Sequence, residues 1–456
     1  MSDVGGDDRH VYSRRMSART DTMNLVAFLM MPTSHHHGAW RHPASELNFD
    51  EADYYCTTAR ILEDAKWDML FMPDVLTVYG NYRGGFDTTV RYGGQGALSL
   101  DPVVIASCVA AVTSRIGLGV TQSASFIPPF QLARSLATLD LISGGRAAWN
   151  VVMSVSDAEA KNFGMDTIAD RQGRYDRGDE VVDLVQRLWH SWDTDAIVRD
   201  KASGVFADPD KVHYTDFVGE WVSSRGPLGV PASKQGSPVI MQAGSSPRGK
   251  QFAARWGEVV FTLQHTVEDM RAYYASIKTA TAEIGRNPDH CRILPAVQCI
   301  VGESEAEALE KLALLDSLID PEVALATMSL HVGQDLSFAD PDAPVEDIQV
   351  EQGSRGSFDV ILQGTAAHGL TLREAAVRFA SSELTPQLVG TGAQIADQME
   401  AMFTSHACDG FVVTPTHVPG SWQETSDAVI PELQRRGLFR TEYTGTTLRD
   451  HFGLPH

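Results

Sequence analysis

The sequence predicts an α/β fold of the TIM (β/α)8 class, a barrel carrying insertions after its strands. Three observations lead there. Eight short apolar runs alternate with helix-like segments along 456 residues. The runs are continuously apolar, as strands covered on both faces are. Polar residues gather where the runs stop, and the two longest irregular stretches follow strands, where loops at the C-terminal face of a barrel build sites.

Asn24–Met31 reads as the first strand. Asp50–Ala65 follows as a helix, with an acidic start and Tyr55, Ala59 and Leu62 at helical spacing. Asp68–Asp74 is a second strand that ends in an acid, Pro102–Ser114 a helix, Ile116–Thr121 a third strand and Gln131–Leu141 a helix. Gly144-Gly145 ends that helix, and the apolar run up to Ser154 is the fourth strand. Asn150 interrupts this run. A buried amide without partners costs roughly 1–3 kcal/mol, so Asn150 is either tied to neighbouring backbone or meets a ligand inside the barrel. A long helix at about Gly173–Trp192 leads into an irregular insertion, 193–236. Strands at Pro238–Gly244, Val259–Leu263, Arg292–Val301 and Gly410–Pro415 complete the eight. Between them lie a helix from Pro247, helices at Val267–Ile284 and Ser304–Leu318, and a second irregular region at about 320–369, rich in Asp, Pro and Gly. Residues 1–22 read as a flexible tail and 23–456 as a single domain.

The formal charge is −22, from 37 basic and 59 acidic side chains. That disfavours non-specific nucleic-acid binding and anionic membrane surfaces, both of which need clustered Lys and Arg. Five scattered cysteines without a C-x-x-C pair favour reduced thiols in a cytoplasmic protein. Ser13-Arg14-Arg15 resembles the start of a twin-arginine signal, but polar residues follow it, and Leu25–Met31 is too short for a membrane span.

At strand ends the pattern places Asp74, Thr121 with Ser123 and Ser125, Asn150 with Ser154, Gly244-Ser245-Ser246, His265 and Thr414. The stretch from Gln242 to Lys250 is the most phosphate-like. Its glycine and two serines lie between a strand end and a helix start, with Pro247 suited to the first turn and Arg248 and Lys250 nearby. The alternative is an ordinary serine N-cap. No G-x-G-x-x-G follows a strand, which argues against a Rossmann nicotinamide or FAD domain. His35-His36-His37 make a poor chelate, because consecutive side chains on an extended segment point different ways; they read as loop histidines lining a pocket. Trp40-Arg41 is a stack, a phosphate clamp or a loop anchor. His331 and His368 fall in the second insertion, where a lid would be.

Taken together, the motifs HGAWRHP (37–43), LFMPD (70–74), GGQGALSLDP (93–102), PPFQLARSLATLDLISGGRAAWNVV (128–152), DAEAKNFG (157–164), VIMQAGSSPRGK (239–250) and FRTEYTGTTLRDHFGL (439–454) give the chain a specific resemblance. From about Met23 to Pro455 it resembles the flavin-dependent monooxygenases of the bacterial luciferase-like superfamily, in the branch of nitrilotriacetate monooxygenase component A and dibenzothiophene-sulfone monooxygenase. The resemblance implies a TIM barrel that takes reduced FMN from a separate NAD(P)H:flavin reductase, uses O2, and oxygenates a small molecule with cleavage of a C–S, C–halogen or C–N bond. It places flavin contacts on Asp74, Thr121, Tyr175, Ser245 and Ser246, with Asn150 beside the ring and Ser246 on the phosphate. Arg171, counted with these contacts, stands where the family motif usually has histidine. Met153 replaces a threonine and is expected to make the pocket floor more apolar. Phe28, Phe71, Phe261 and Leu263 match positions that shape the substrate pocket. His35 and His331 take the roles of substrate orientation or proton transfer. An apolar, aromatic substrate (a sulfone or a halogenated arene) follows. An aminopolycarboxylate monooxygenase and an F420-dependent oxidoreductase are the alternatives, and a homo-oligomer, dimer or tetramer, is expected.

Overall fold

The computed structural model describes residues 21–32, 34–365, 367 and 369–456. The proposed tail lies outside the described residues except for its last two positions, and His368 lies outside them too. Eight parallel strands close into a barrel: β1 (Asn24–Phe28), β2 (Met69–Met72), β3 (Gly117–Ser123), β4 (Ala147–Val152), β5 (Val239–Gln242), β6 (Val259–Thr262), β7 (Arg292–Val301) and β8 (Gly410–Thr414). Each pairs with the next, and β8 returns to β1 with Asn24 opposite Gly410. All eight are runs that the sequence marks. A short ninth strand, Gln387–Gly390, extends the sheet beside the outer half of β7. Its four residues, which follow Pro386 and end in a glycine, carry no strand signal of their own.

Strand alternation sorts the side chains. On β1, Val26 and Phe28 enter the lumen cluster, while Leu25 and Ala27 join the layer between strands and helices. The same parity sends Met69, Phe71, Ala148, Met241 and Phe261 inward. β3 contributes glycines to the lumen. A Cβ at Gly119 would sit 2.8 Å from Met69 Sδ, so only glycine leaves room for the inward methionines.

The N-terminal end of the barrel is closed by the chain's last residues. Leu448 and Phe452, from the helix Leu448–Phe452, together with Leu454, belong to the lumen cluster. A Cβ at Gly117 would run into Leu448 Cδ1, which explains the glycine. Asp68 is fully buried there; it accepts from the Leu25 amide (2.7 Å) and Asn24 Nδ2 (3.0 Å) and is paired with Arg440. Arg449 pairs with Glu258 at 2.6 Å, and Glu258 accepts the Ile240 amide at 2.9 Å. The motif at 439–454 is thus the floor of the barrel. Arg146, just ahead of β4, caps the helix Pro102–Val112 from below. Its guanidinium donates to the carbonyls of Ala110 (3.2 Å), Thr113 (3.0 Å) and Ile116 (2.7 Å).

The two insertions differ. The first carries two small antiparallel hairpins and is fastened to the helix Arg171–Trp189 by Glu180, whose carboxylate accepts the amides of Glu220, Trp221 and Val222. The second is not irregular. It holds the helices Pro321–Val332 and Gln352–Gly364, which pack with Leu372–Ala380 around their own apolar cluster of residues such as Leu325, Phe358 and Phe379. Asp, Pro and Gly in this region are caps and turns between helices: Asp320 caps one of them, with Pro321 in its first turn. Among the described residues, no helix is long and apolar enough to cross a membrane.

Candidate functional site

The strand order lines up the marked residues around the C-terminal mouth. Phe28, Phe71 and Phe261, from β1, β2 and β6, form a triangle of rings with centroids 5.6, 6.0 and 6.2 Å apart, and Leu263 packs against the same cluster. Thr121 and Asn150 are direct neighbours in the β3–β4 register, and Asn150 Nδ2 donates to Thr121 Oγ1 at 2.9 Å. That bond fixes the amide so that its oxygen is left over. Among the described residues, Asn150 Oδ1 is buried without a partner, as is Gln298 Nε2 on β7. A buried acceptor left open in this way suits a donor N–H on a ligand. Asp74 lies just beyond β2, accepts from Ser99 Oγ at 3.0 Å, and is pushed up to about 6 by burial.

A second group forms where β5 meets the helix Pro247–Trp256. The Tyr175 hydroxyl lies 3.1 Å from where a Cβ on Gly244 would be and 2.8 Å from one on Gly249, so both glycines make room for it. Tyr273 donates to the Gly244 carbonyl at 2.9 Å. Ser246 is the N-cap and accepts the Gly249 amide at 3.1 Å, while Ser245 is exposed beside it. The serine cap is therefore present, at a helix start of the kind that can also receive a phosphate. The cations do not take part as expected. Arg248 pairs with Asp176 (3.0 Å) and Asp179 (2.5 Å), and Lys250 lies over the Tyr273 ring at 5.0 Å. Both are drawn away from the turn by carboxylates and a ring that the linear sequence does not bring near them.

Arg171 is exposed at the first position of its helix, one turn before Tyr175. Met153 does not form the pocket floor. Its Sδ lies 2.9 Å from where a Cβ on Gly178 would be, and it belongs to the cluster between strands and helices. Parity decides this: Ala148 faces inward, so Asn150 does too, and Met153 faces out. Trp40 and Arg41 are loop anchors, donating to the Tyr92 carbonyl (3.0 Å) and the Leu318 carbonyl (2.6 Å).

The three consecutive histidines are all buried and turn to separate partners. His35 Nδ1 meets Thr385 Oγ1 at 2.9 Å with its ring 4.9 Å from Phe28; His36 faces Asp316; His37 Nε2 meets Glu383 Oε1 at 2.7 Å. Burial lowers the pKa of His35, which keeps its imidazole neutral at pH 7. His331 closes the helix Pro321–Val332, partly exposed, with Nε2 3.2 Å from Glu383 Oε2 but no well-aligned hydrogen bond. Glu383 escapes sequence reading because nothing local marks it: one acid between Ser382 and Leu384, remote in sequence from every histidine it meets. Burial opposes its ionisation, but His331, His37 and His35 outweigh that, and its carboxyl lies well below the usual range.

Comparison with known proteins agrees with the fold. Residues 28–407 match the family described as luciferase-like monooxygenase. The chain is 49% identical over 437 residues to dibenzothiophene-sulfone monooxygenase of Rhodococcus erythropolis, covering 95% of this chain and 96% of that one. It is 39% identical to nitrilotriacetate monooxygenase component A of Aminobacter aminovorans, covering 95% and 96%. The crystal structure of DmoA from Hyphomicrobium sulfonivorans superposes with a TM-score of 0.89 at 34% identity, covering 95% of this chain and 92% of that one. The chain belongs to the luciferase-like monooxygenase family, flavin-dependent oxidoreductases that use reduced flavin and O2.

Proposed function

We propose that this protein is the oxygenase of a two-component system that receives reduced FMN from a separate NAD(P)H:flavin reductase and oxygenates an apolar, aromatic small molecule, a sulfone or a halogenated arene, with cleavage of a C–S, C–halogen or C–N bond. The observation that carries the substrate class is the ring triangle of Phe28, Phe71 and Phe261 at the mouth, with His35 against Phe28. Such a wall favours a planar apolar guest over a polyanion.

The residues present suit a flavin. Asn150 and Thr121 would hold the ring edge, Asp74 would take a further polar contact, and Tyr175 with Ser245 and Ser246 would hold the phosphate at the helix start. Arg171 would act from the rim, outside direct contact. Reduced FMN, when bound, supplies the electrons for O2 activation, one oxygen atom passing to the substrate and the other to water. The chain positions and encloses. The phenylalanines and Leu263 exclude water from the substrate. Neutral His35, held by Thr385, orients the substrate by a hydrogen bond, and His331 moves a proton at the ring nitrogen that is not turned to Glu383.

A reductase-coupled screen over aromatic sulfones, halogenated arenes and aminopolycarboxylates, with products identified by mass, tests the reading. Oxygenated aromatic product is expected; turnover of aminopolycarboxylates alone would overturn the substrate class. His35→Ala and His331→Ala should each lower turnover about 100-fold with FMN affinity unchanged. Wild-type turnover in both variants would remove the two histidine roles.

A further inference from the structure

The short turn after the helix Leu372–Ala380 touches histidines from three separate segments. Glu383 meets His37 at 2.7 Å and His331 at 3.2 Å. The Leu384 carbonyl meets His265 Nδ1 at 3.0 Å, and Thr385 Oγ1 meets His35 Nδ1 at 2.9 Å. The turn does so in an unusual backbone state. Glu383 has φ +50° and Leu384 φ +65°, two consecutive left-handed residues, neither of them glycine. Branched or bulky side chains rarely adopt this region, and it persists only where the surroundings impose it. The carboxylate is 3% exposed as a residue, in a protein that keeps most of its acids at the surface.

We infer that Glu383 is the positioning residue of the proposed site: it binds His331 of the second insertion and His37 of the loop after β1 into one charge-sharing unit, and its strained turn fixes His265 and His35 in the same step. This rests on the proposed proton-transfer role of His331. Glu383 acts through the imidazoles, because its carboxylate is enclosed by them. With Nε2 of His331 turned to the carboxylate, the part-exposed remainder of that ring is the face left for substrate. The groups facing Glu383 are His37 and His35 from the loop after β1, His331 from the helix Pro321–Val332, and Tyr79 from the loop after β2. Three of these four are imidazoles, so Glu383 is the acid that all three share. The consequence is that the helical insertion is electrostatically tied to the barrel mouth: moving His331 away would leave half of a buried carboxylate unmatched.

The test is Glu383→Gln, with Glu383→Asn as a second neutral variant, since Asn tolerates left-handed backbone. Asp in place of Glu383 serves as the charge-retaining control. Ring 15N shifts of the histidines are followed from pH 5 to 9 in the flavin-free protein and assigned with His37→Ala and His331→Ala. In the neutral variants two imidazoles should give up their protons about one pH unit lower than in wild type, and the alkaline limb of product formation should move by the same amount; Asp should restore both. Unchanged histidine titrations in folded Gln or Asn variants would overturn the inference, as would loss of turnover with an unmoved pH profile. The 15N readout needs no substrate, so it stands apart from the outcome of the substrate screen.

Discussion

At the N-terminal end of the strands, Asp68 meets Arg440 and Glu258 meets Arg449, whereas at the C-terminal end Asn150 Oδ1 and Gln298 Nε2 have no partner among the described residues. Both ends belong to the same eight strands and both bury polar groups. At the floor, the last eighteen residues supply the matching charges, and the buried His451, whose pKa burial lowers to about 3, packs against Tyr443 at 4.8 Å with neither ring nitrogen partnered among the described residues. At the mouth, Asp74 is raised to about 6 by burial and the histidines share one carboxylate. Open polar atoms occur at both ends, Arg440 Nη1 and His451 below, Asn150 Oδ1 and Gln298 Nε2 above; what distinguishes the floor is that arginines of the C-terminal motif meet its buried carboxylates.

Substitutions can sharpen or break this contrast. The largest effect is expected at the floor: Arg440→Ala leaves Asp68 buried with an unmatched charge and should cost about 3–5 kcal/mol in urea unfolding, with FMN affinity per folded molecule unchanged. A stable variant would mean that Asp68 is satisfied by Leu25 and Asn24 alone. At the mouth, Asn150→Ala should do the reverse. It should change stability of the flavin-free protein by less than about 1 kcal/mol, yet weaken FMN binding by about 1–3 kcal/mol, tenfold or more, because it deletes an acceptor that only a ligand uses. Equal affinity by fluorescence titration would show that Asn150 is a core amide after all. The smallest effect on the site belongs to Met153→Thr. Its packing against Gly178 predicts about 1 kcal/mol of lost stability and FMN affinity within about twofold of wild type; a larger change in affinity would return Met153 to the pocket.

Much of the fold is legible in the chain itself. Eight buried parallel strands write themselves as continuous apolar runs, because helices on one side and the lumen on the other leave no face for water, and all eight lie where the runs do. The helical second insertion is less legible: its cap and turn residues dominate the composition and hide helices such as Gln352–Gly364. The site divides the same way. Thr121, Asn150, Tyr175 and Ser246 sit at strand ends or a helix start, positions with local signatures. Glu383 has none, for its partners lie 346 residues away at His37 and on another helix at His331.

By itself, then, the sequence determined what local pattern can encode: the period of the strands, the glycine-bounded helix starts, the polar residues at strand ends and the family motifs. Tertiary structure alone decided which charges meet. It took Arg248 from the turn at Ser246 to Asp176 and Asp179, turned Met153 outward, made the C-terminal motif a floor, and brought one left-handed glutamate under histidines from distant segments. The physical reason is that alternation and capping act over a few residues, while the free energy of a buried charge depends on whatever the closed barrel places within a few ångströms of it.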